Sequence, residues 1–316
     1  MSREVKPVAL SNGVQLPSIG YGTGVIRKYS RNKLLFAKSN VHAALSSLKH
    51  GRLNKQLRMD VFAESIIRDA YYAGFRLFDS GRIYGYSEKM IGDSLREIDR
   101  KSFCLVTKIS DMDLERECSP NTVRENLAVS LEYLRTDYVD AYLLHWPHGD
   151  WINIYLNMEK EYRAGRTKSL GVCNFTEAHF EQLFAKCSVI PHICQTELHP
   201  FNSKPRLREF CRKHGITLMA HTPTARMCDK ARNCRTLTTL AEKYNKTAAQ
   251  IIIRWHMQNG VIPIVASVSR AHMTENINCS DFMLSRDDME QIELLNENYV
   301  MLKSDGIDDP NYAYNL

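Results

Sequence analysis

Short apolar runs that end in a polar side chain alternate along this chain with longer stretches in which apolar residues recur at every third or fourth position. Val61, Phe62, Ile66, Ile67 and Ala70 make one such helical stripe, which Gly74 closes, and a strand over 75–79 follows. The same alternation predicts strands over 103–108, 139–145, 169–172, 193–196, 217–220 and 261–265. Helices are expected between them: one capped by Ser87, one opened by Pro120, and others over 152–164, 177–184, 205–213 and 248–258. With a glycine-rich strand over 18–24, the pattern is eight strands alternating with helices, the signature of a (β/α)8 TIM barrel in one domain spanning 1–316.

Three stretches stand outside the alternation. Val8 to Leu16 reads as an N-terminal β-hairpin, with Asn12-Gly13 as a type I′ turn. Residues 25–58 form a basic insertion after the first barrel strand, with nine Lys or Arg and no acidic residue; a short helix over 41–48 is expected inside it. It is either a solvated loop or a cationic cover over the active face that draws in an anionic partner. After a helix over 283–297 capped by Ser285, a C-terminal tail over 298–316 has no helical period and is expected to fold over that same face.

Composition narrows the class. Hydrophobic residues at 44% and charged residues at 25% suit a globular protein with a large core, and no apolar run is long enough for a membrane span. No signal-peptide core follows Met1, so a cytoplasmic protein is expected. The nine cysteines are scattered without CxxC pairs, which favours reduced thiols over disulfides or zinc. A nucleic-acid partner is not expected, because the insertion has few aromatics and no recognisable motif.

The chemistry gathers at strand ends. Asp79 ends one apolar run, with Tyr84 shortly after it; Lys108 ends the next and His145 the one after that. Parallel neighbouring strands would bring all four to one face of a barrel. Each alone has an ordinary reading: Asp79 and Lys108 as a structural ion pair, His145 as a core histidine, Tyr84 as a surface phenol. Their joint placement favours a proton-transfer site.

Several separated motifs occur in an order that resembles the aldo-keto reductases. They include Leu10-Ser11-Asn12-Gly13, Gly20-Tyr21-Gly22-Thr23, Asp79 to Gly85, Leu144-His145-Trp146-Pro147, Gly171 to Phe175, Gln195 to Pro200 and Glu275-Asn276. The resemblance implies a catalytic tetrad of Asp79, Tyr84, Lys108 and His145. Tyr84 would be the proton donor, Lys108, held by Asp79, would make its phenol a stronger acid, and His145 would orient the carbonyl. It also implies a cofactor, NADPH or NADH, held by Gly22, Thr23, Cys173, Asn174, Gln195, His221, Thr222, Ser267, Arg270, His272, Glu275 and Asn276. A small-molecule carbonyl substrate would lie beside Trp146, with the protein a monomer or weak oligomer.

Four cofactor positions depart from the family pattern. Cys173 replaces a serine, and His221 replaces the aromatic ring on which the nicotinamide stacks. Ala266 and His272 stand where a lysine and an arginine usually clamp the 2′-phosphate of NADPH, leaving Arg270 as a possible substitute. NADPH and NADH therefore rank nearly equal, with a slight lean to NADPH. The pocket lacks two customary aromatics, at Gly24 and Ser110, which points to a polar or anionic substrate. The eroded cofactor contacts keep one alternative open, a non-catalytic nucleotide-binding barrel acting as sensor or auxiliary subunit.

Overall fold

A computed structural model describes residues 6–26, 64–109 and 119–301. Its centre is a closed parallel barrel of eight strands: β3 (Gly20–Gly22), β4 (Leu77–Asp79), β5 (Cys104–Ile109), β6 (Ala141–Leu144), β7 (Leu170–Cys173), β8 (Ile193–Glu197), β9 (Thr217–His221) and β10 (Ile262–Val265). Neighbours pair in chain order, and β10 closes the ring by pairing with both β9 and β3. The expected TIM barrel and its preceding hairpin are both present. The basic helix proposed over 41–48, Ser110 and the tail beyond 301 lie outside the described residues.

Alternation along each strand separates two cores. One set of side chains, including Phe78, Leu105, Tyr142, Val172 and Cys194, packs outward under the helices. The other set, Leu77, Val106, Ala141, Leu143, Cys173, Ile193, Met219, Ile262 and Ile264, fills the barrel interior. Glycine makes that filling possible at two places. A Cβ on Gly20 would meet Ile264 Cδ1 at 2.6 Å, and one on Gly171 would meet Leu143 Cδ2 at 2.4 Å. Leu10 and Leu16 join the interior cluster from the hairpin, β1 (Val8–Ala9) and β2 (Gln15–Leu16), which plugs the N-terminal end of the barrel.

The hairpin turn differs from the type I′ expectation. Leu10 N donates to Val14 O at 2.8 Å and Gly13 N to Leu10 O at 2.9 Å, so the loop has one residue more than a two-residue turn allows. Only Gly13 (φ 86°) is left-handed there, as in a turn that ends in a glycine bulge. Ser87 is not a cap either. It is the first residue of the helix Ser87–Ser94, behind Tyr86, and its buried hydroxyl lies 2.7 Å from that of Ser80. Helices over Pro120–Leu134, Trp151–Arg163, Glu177–Phe184, Pro205–Lys213 and Ala248–Gln258 fall where the periodicity predicts them, and Ser285 caps Arg286–Glu293.

Three further helices among the described residues were not foreseen, the single turn Asp229–Arg232 and the longer Arg235–Tyr244 and Arg270–Ile277. Among the described residues the cysteines form no disulfide, no cluster of metal-ligating side chains occurs, and no helix is long and apolar enough to cross a membrane.

Candidate active site

The interior of the barrel changes character at its C-terminal end. Two positions beyond Leu77, Val106 and Leu143, on the same inward-facing side of their strands, stand Asp79, Lys108 and His145. Gln195 follows Ile193 in the same way, and His221 follows Met219. The apolar stack is thus capped by a polar layer.

Asp79 and Lys108 are the innermost pair, and both are buried. Lys108 Nζ donates to both carboxylate oxygens of Asp79 at 2.7 Å and to the carbonyl of Ser80 at 2.6 Å. Gln195 Nε2 adds a bond to Asp79 Oδ1 at 2.9 Å, and Thr23 Oγ1 donates to the Asp79 carbonyl at 2.9 Å. A buried charge pair of this kind is stable only when its remaining hydrogen-bonding groups are matched, as they are here.

Tyr84 sits above this pair on the short 3-10 turn Arg82–Tyr84. Its hydroxyl lies 3.4 Å from His145 Nε2, and Lys108 Nζ is 5.2 Å from the centre of its ring. The ammonium protons are aimed at Asp79 and Ser80. A Cβ added at Gly24 would touch the ring, 3.9 Å from Tyr84 Cε2, so the glycine leaves that contact unmade. Burial first, then the charge of Lys108 and the nearby His221, hold the His145 imidazole well below its ordinary range, so it is neutral near pH 7. Trp146 is buried beside it, with ring centres 6.3 Å apart.

A support behind Tyr84 escaped the sequence reading. Glu88 is fully buried; its carboxylate accepts from Thr107 Oγ1 at 2.5 Å and pairs with Arg82 at 3.5 Å. With the Ser80–Ser87 contact, this ties the segment from Ser80 to Glu88 to the outward side of β5, next to Lys108. Thr107 carried the only signal, a polar residue at an outward strand position expected to be apolar.

Beyond the tetrad, Asn174 and His221 form a second polar group. Asn174 (φ 59°) donates from Nδ2 to the His145 carbonyl at 3.2 Å, and its Oδ1 lies 3.0 Å from His221 Nε2. The amide is thereby fixed, and a neutral His221 donates to it. Burial brings the His221 imidazole down to about 4; Glu197 opposes the shift, and the charges of Lys108, Lys204 and Arg226 add to it. Thr222 Oγ1 is 3.3 Å from His221 Nδ1. Cys173 is buried in the interior cluster, and burial pushes its thiol well up, so it remains a protonated, weak donor.

These groups fit a nicotinamide carboxamide. Gln195 directs its N–H at Asp79, leaving its oxygen as an acceptor, and Asn174 keeps a second N–H beyond the one given to His145. Gly22 pairs with Asp79 in register, at the rim where the backbone is bare.

The residues after β10 form a separate patch. Ser267 accepts from Tyr21 Oη through its carbonyl at 2.6 Å, and Ser269 caps the helix that carries His272, Glu275 and Asn276. Arg270 is turned away into an ion pair with Asp69, and Glu275 accepts from Thr247 Oγ1 at 2.5 Å. His272 is exposed, and the Asn276 carbonyl accepts from the Cys279 thiol.

A family model described as the Aldo/keto reductase family matches residues 48–297. The chain is 32% identical to a glyoxal reductase of Bacillus subtilis over 293 residues, 92% of each chain. It is also 32% identical to a methylglyoxal reductase of Escherichia coli K12 over 261 residues, 79% of this chain and 92% of that one. Among solved structures, an aldo/keto reductase from Brucella melitensis superposes with a TM-score of 0.76 at 31% identity, covering 92% of this chain and 99% of that one. An aldo-keto reductase from Bombyx mori in complex with NADP gives 0.79 at 25% identity, covering 98% and 99%. With closed barrel, strand-end polar layer and relatives in agreement, the chain belongs to the aldo/keto reductase family and is an NAD(P)H-dependent oxidoreductase.

Proposed function

We propose that the chain reduces an aldehyde or ketone to an alcohol, or runs the reverse oxidation, with Tyr84 as general acid or base. The observation that supports this reading is the contact set around Tyr84: its hydroxyl beside a neutral His145, over a Lys108 whose charge is held by Asp79. A bound NAD(P)H supplies the hydride. The work of this chain's residues is to place the carbonyl oxygen and protonate it.

The neutral His145 donates a hydrogen bond from Nε2 to the carbonyl oxygen and polarises it, while Tyr84 delivers its proton to the same oxygen. The tyrosinate left behind faces the Lys108 ammonium in a water-poor setting, where the charge interaction is strong. Asp79 keeps that ammonium in place. In the oxidative direction the same groups accept the proton from the alcohol.

The substrate in this proposal is a polar or anionic carbonyl compound. The bare Gly24 beside Tyr84 supports that, as do the relatives named for glyoxal and methylglyoxal, which are small polar dicarbonyls. NADPH and NADH stay close to equal as cofactors, with a slight lean to NADPH. The Arg270–Asp69 pair weakens the case for Arg270 as a 2′-phosphate ligand.

The test is fluorescence titration with each dinucleotide, followed by a carbonyl panel. Tyr84→Phe is expected to bind cofactor normally and lose turnover by about 10²–10⁴-fold, the usual contribution of a positioned acid. Retained turnover would mean that the proton comes from elsewhere.

A further inference from the structure

One buried carboxylate is tied to both of the segments that bring Tyr84 and Lys108 together. Glu88 is fully buried in the first turn of the helix Ser87–Ser94. Its Oε1 accepts from Thr107 Oγ1 at 2.5 Å, and its Oε2 lies 3.5 Å from Arg82 Nη1. Thr107 precedes Lys108 on β5 and is fully buried on the outward side of that strand, while Arg82 opens the three-residue turn that ends in Tyr84. Sequence neighbours of the phenol and of the ammonium therefore meet on one side chain.

The turn itself has no core of its own, since none of Arg82, Ile83 and Tyr84 is fully buried. Its flanks set its place. Ser80 N donates to the Val106 carbonyl at 2.8 Å, the Ser80 carbonyl accepts from Lys108 Nζ at 2.6 Å, and the Ser80 and Ser87 hydroxyls are 2.7 Å apart. Gly81 lies against the stem of Lys108, where a Cβ would come within 3.4 Å of Lys108 Cβ and 3.7 Å of Tyr84 Cε2. On the far side of Glu88, its helix is pressed onto the helix Pro120–Leu134; a Cβ on Gly92 would stand 2.1 Å from the Tyr133 carbonyl oxygen. The carboxylate thus reaches toward β5 and the turn from a closely packed support.

A carboxylate suits such a junction. Its two oxygens accept in different directions, one from a hydroxyl and one from a guanidinium. Placement matters here because a reacting group displaced by about 1 Å can lose on the order of 10²-fold in rate, even when the change is made away from the chemistry.

Resting on the reading of Tyr84 as the proton donor, we propose that Glu88 is a positioning residue: through Thr107 and Arg82 it fixes the Tyr84 turn over Lys108, and with it the influence of the ammonium on the phenol. Glu88 itself touches neither substrate nor cofactor in this arrangement.

The test follows kcat/KM for the best substrate of the carbonyl panel, at saturating dinucleotide and across pH, with functional sites counted by nicotinamide fluorescence. Thr107→Val keeps the shape of the side chain and removes its hydroxyl. It is expected to bind dinucleotide normally and to lose kcat/KM by roughly ten- to a hundredfold per site. In the reductive direction the fall of kcat/KM with rising pH should also move to higher pH, as for a phenol held further from the Lys108 charge. Thr107→Ser returns the hydroxyl and should recover most of the rate and the original pH profile. Glu88→Gln keeps an acceptor for Thr107 and gives up the charge facing Arg82, so a smaller loss, roughly two- to fivefold, is expected with the same direction of pH shift. Unchanged kcat/KM per site in Thr107→Val and Glu88→Gln would overturn the proposal. So would a loss that leaves the pH profile in place, or one that Thr107→Ser does not recover, since either would make the contact a support of the fold alone. Should Thr107→Val fail to fold, Glu88→Gln decides by the same two readings. A Tyr84→Phe variant that kept its turnover would remove the reading on which this rests, an outcome separate from these.

Discussion

Two buried aspartates sit at opposite ends of the barrel and do different things with the same charge. At the mouth, Asp79 is matched to one fully buried lysine, Lys108, inside the polar layer. At the floor, Asp140 accepts from Arg100 Nη2 at 2.7 Å and Lys168 Nζ at 3.0 Å, and from the Leu105 backbone N–H at 2.9 Å. Its cations reach solvent, with 19% and 45% of their side chains exposed. The floor cluster staples the start of β5 to its neighbours. The mouth cluster keeps a buried charge beside the phenol ring of Tyr84. On the mechanism proposed for the mouth, exposure of the cation, more than the ion pair itself, separates a staple from a reactive site.

The sharpest way to break that contrast is at Lys108. Lys108→Met is expected to lower turnover by about 10²–10⁴-fold and, by leaving Asp79 buried and unpaired, to destabilise the fold by about 3–5 kcal/mol. Adding Asp79→Asn should restore much of the stability measured in urea and none of the activity. If both returned together, the pair would be a staple like its counterpart below. Asp140→Asn is the mirror test. It keeps an acceptor for Leu105 N and loses two partly exposed ion pairs, so a stability loss of about 1–3 kcal/mol is expected, with kcat/KM unchanged.

Acid probes the mouth in another way. His145 and His221 at the mouth have folded-state pKa values below the unfolded value near 6.5, that of His221 at about 4. Between those limits the unfolded chain binds protons that the folded chain does not. Stability is therefore fully present above pH 6.5 and falls as pH drops, by up to about 1.4 kcal/mol per pH unit for each histidine. Thermal melts from pH 7.5 to 5 should show the decline, and His221→Gln should make it shallower. An identical slope in the variant would show that His221 does not contribute.

Much of the mouth was legible in the sequence because a barrel strand advertises its end: an apolar run stops at a polar residue, as at Asp79, Lys108 and His145. Regular helices over 177–184 and 205–213 were legible for a similar reason. The helix Arg270–Ile277 was not, because only Met273 among its residues is buried and no stripe forms. It is held by contacts remote in sequence, from Gln250 Nε2 to the carbonyls of Glu275 and Asn278 at 3.0 and 3.1 Å. In Arg235–Tyr244 the stripe exists at Leu237, Leu240 and Tyr244, masked by threonines of low helix propensity. Partner choice was the least readable feature. Nothing local to Arg270 says that it pairs with Asp69, and nothing near Glu88 says that it reaches Thr107.

The smallest effect expected is at Cys173, where floor-like packing and mouth-like chemistry meet in one side chain. The thiol packs in the apolar interior, lies within reach of the charges of Lys108 and Asp79, and borders the proposed carboxamide site. Cys173→Ser replaces a weak donor with a strong one, so it should tighten cofactor binding roughly two- to fivefold, about 0.5–1 kcal/mol. The same hydroxyl would lie among Leu143, Met219 and their neighbours with no partner before cofactor binds, and should lower the stability of the free protein by about 1–3 kcal/mol. Titration and melting thus predict opposite signs for one substitution. If both moved down together, Cys173 would belong to the packing alone, and the polar layer would begin one position further out, at Asn174.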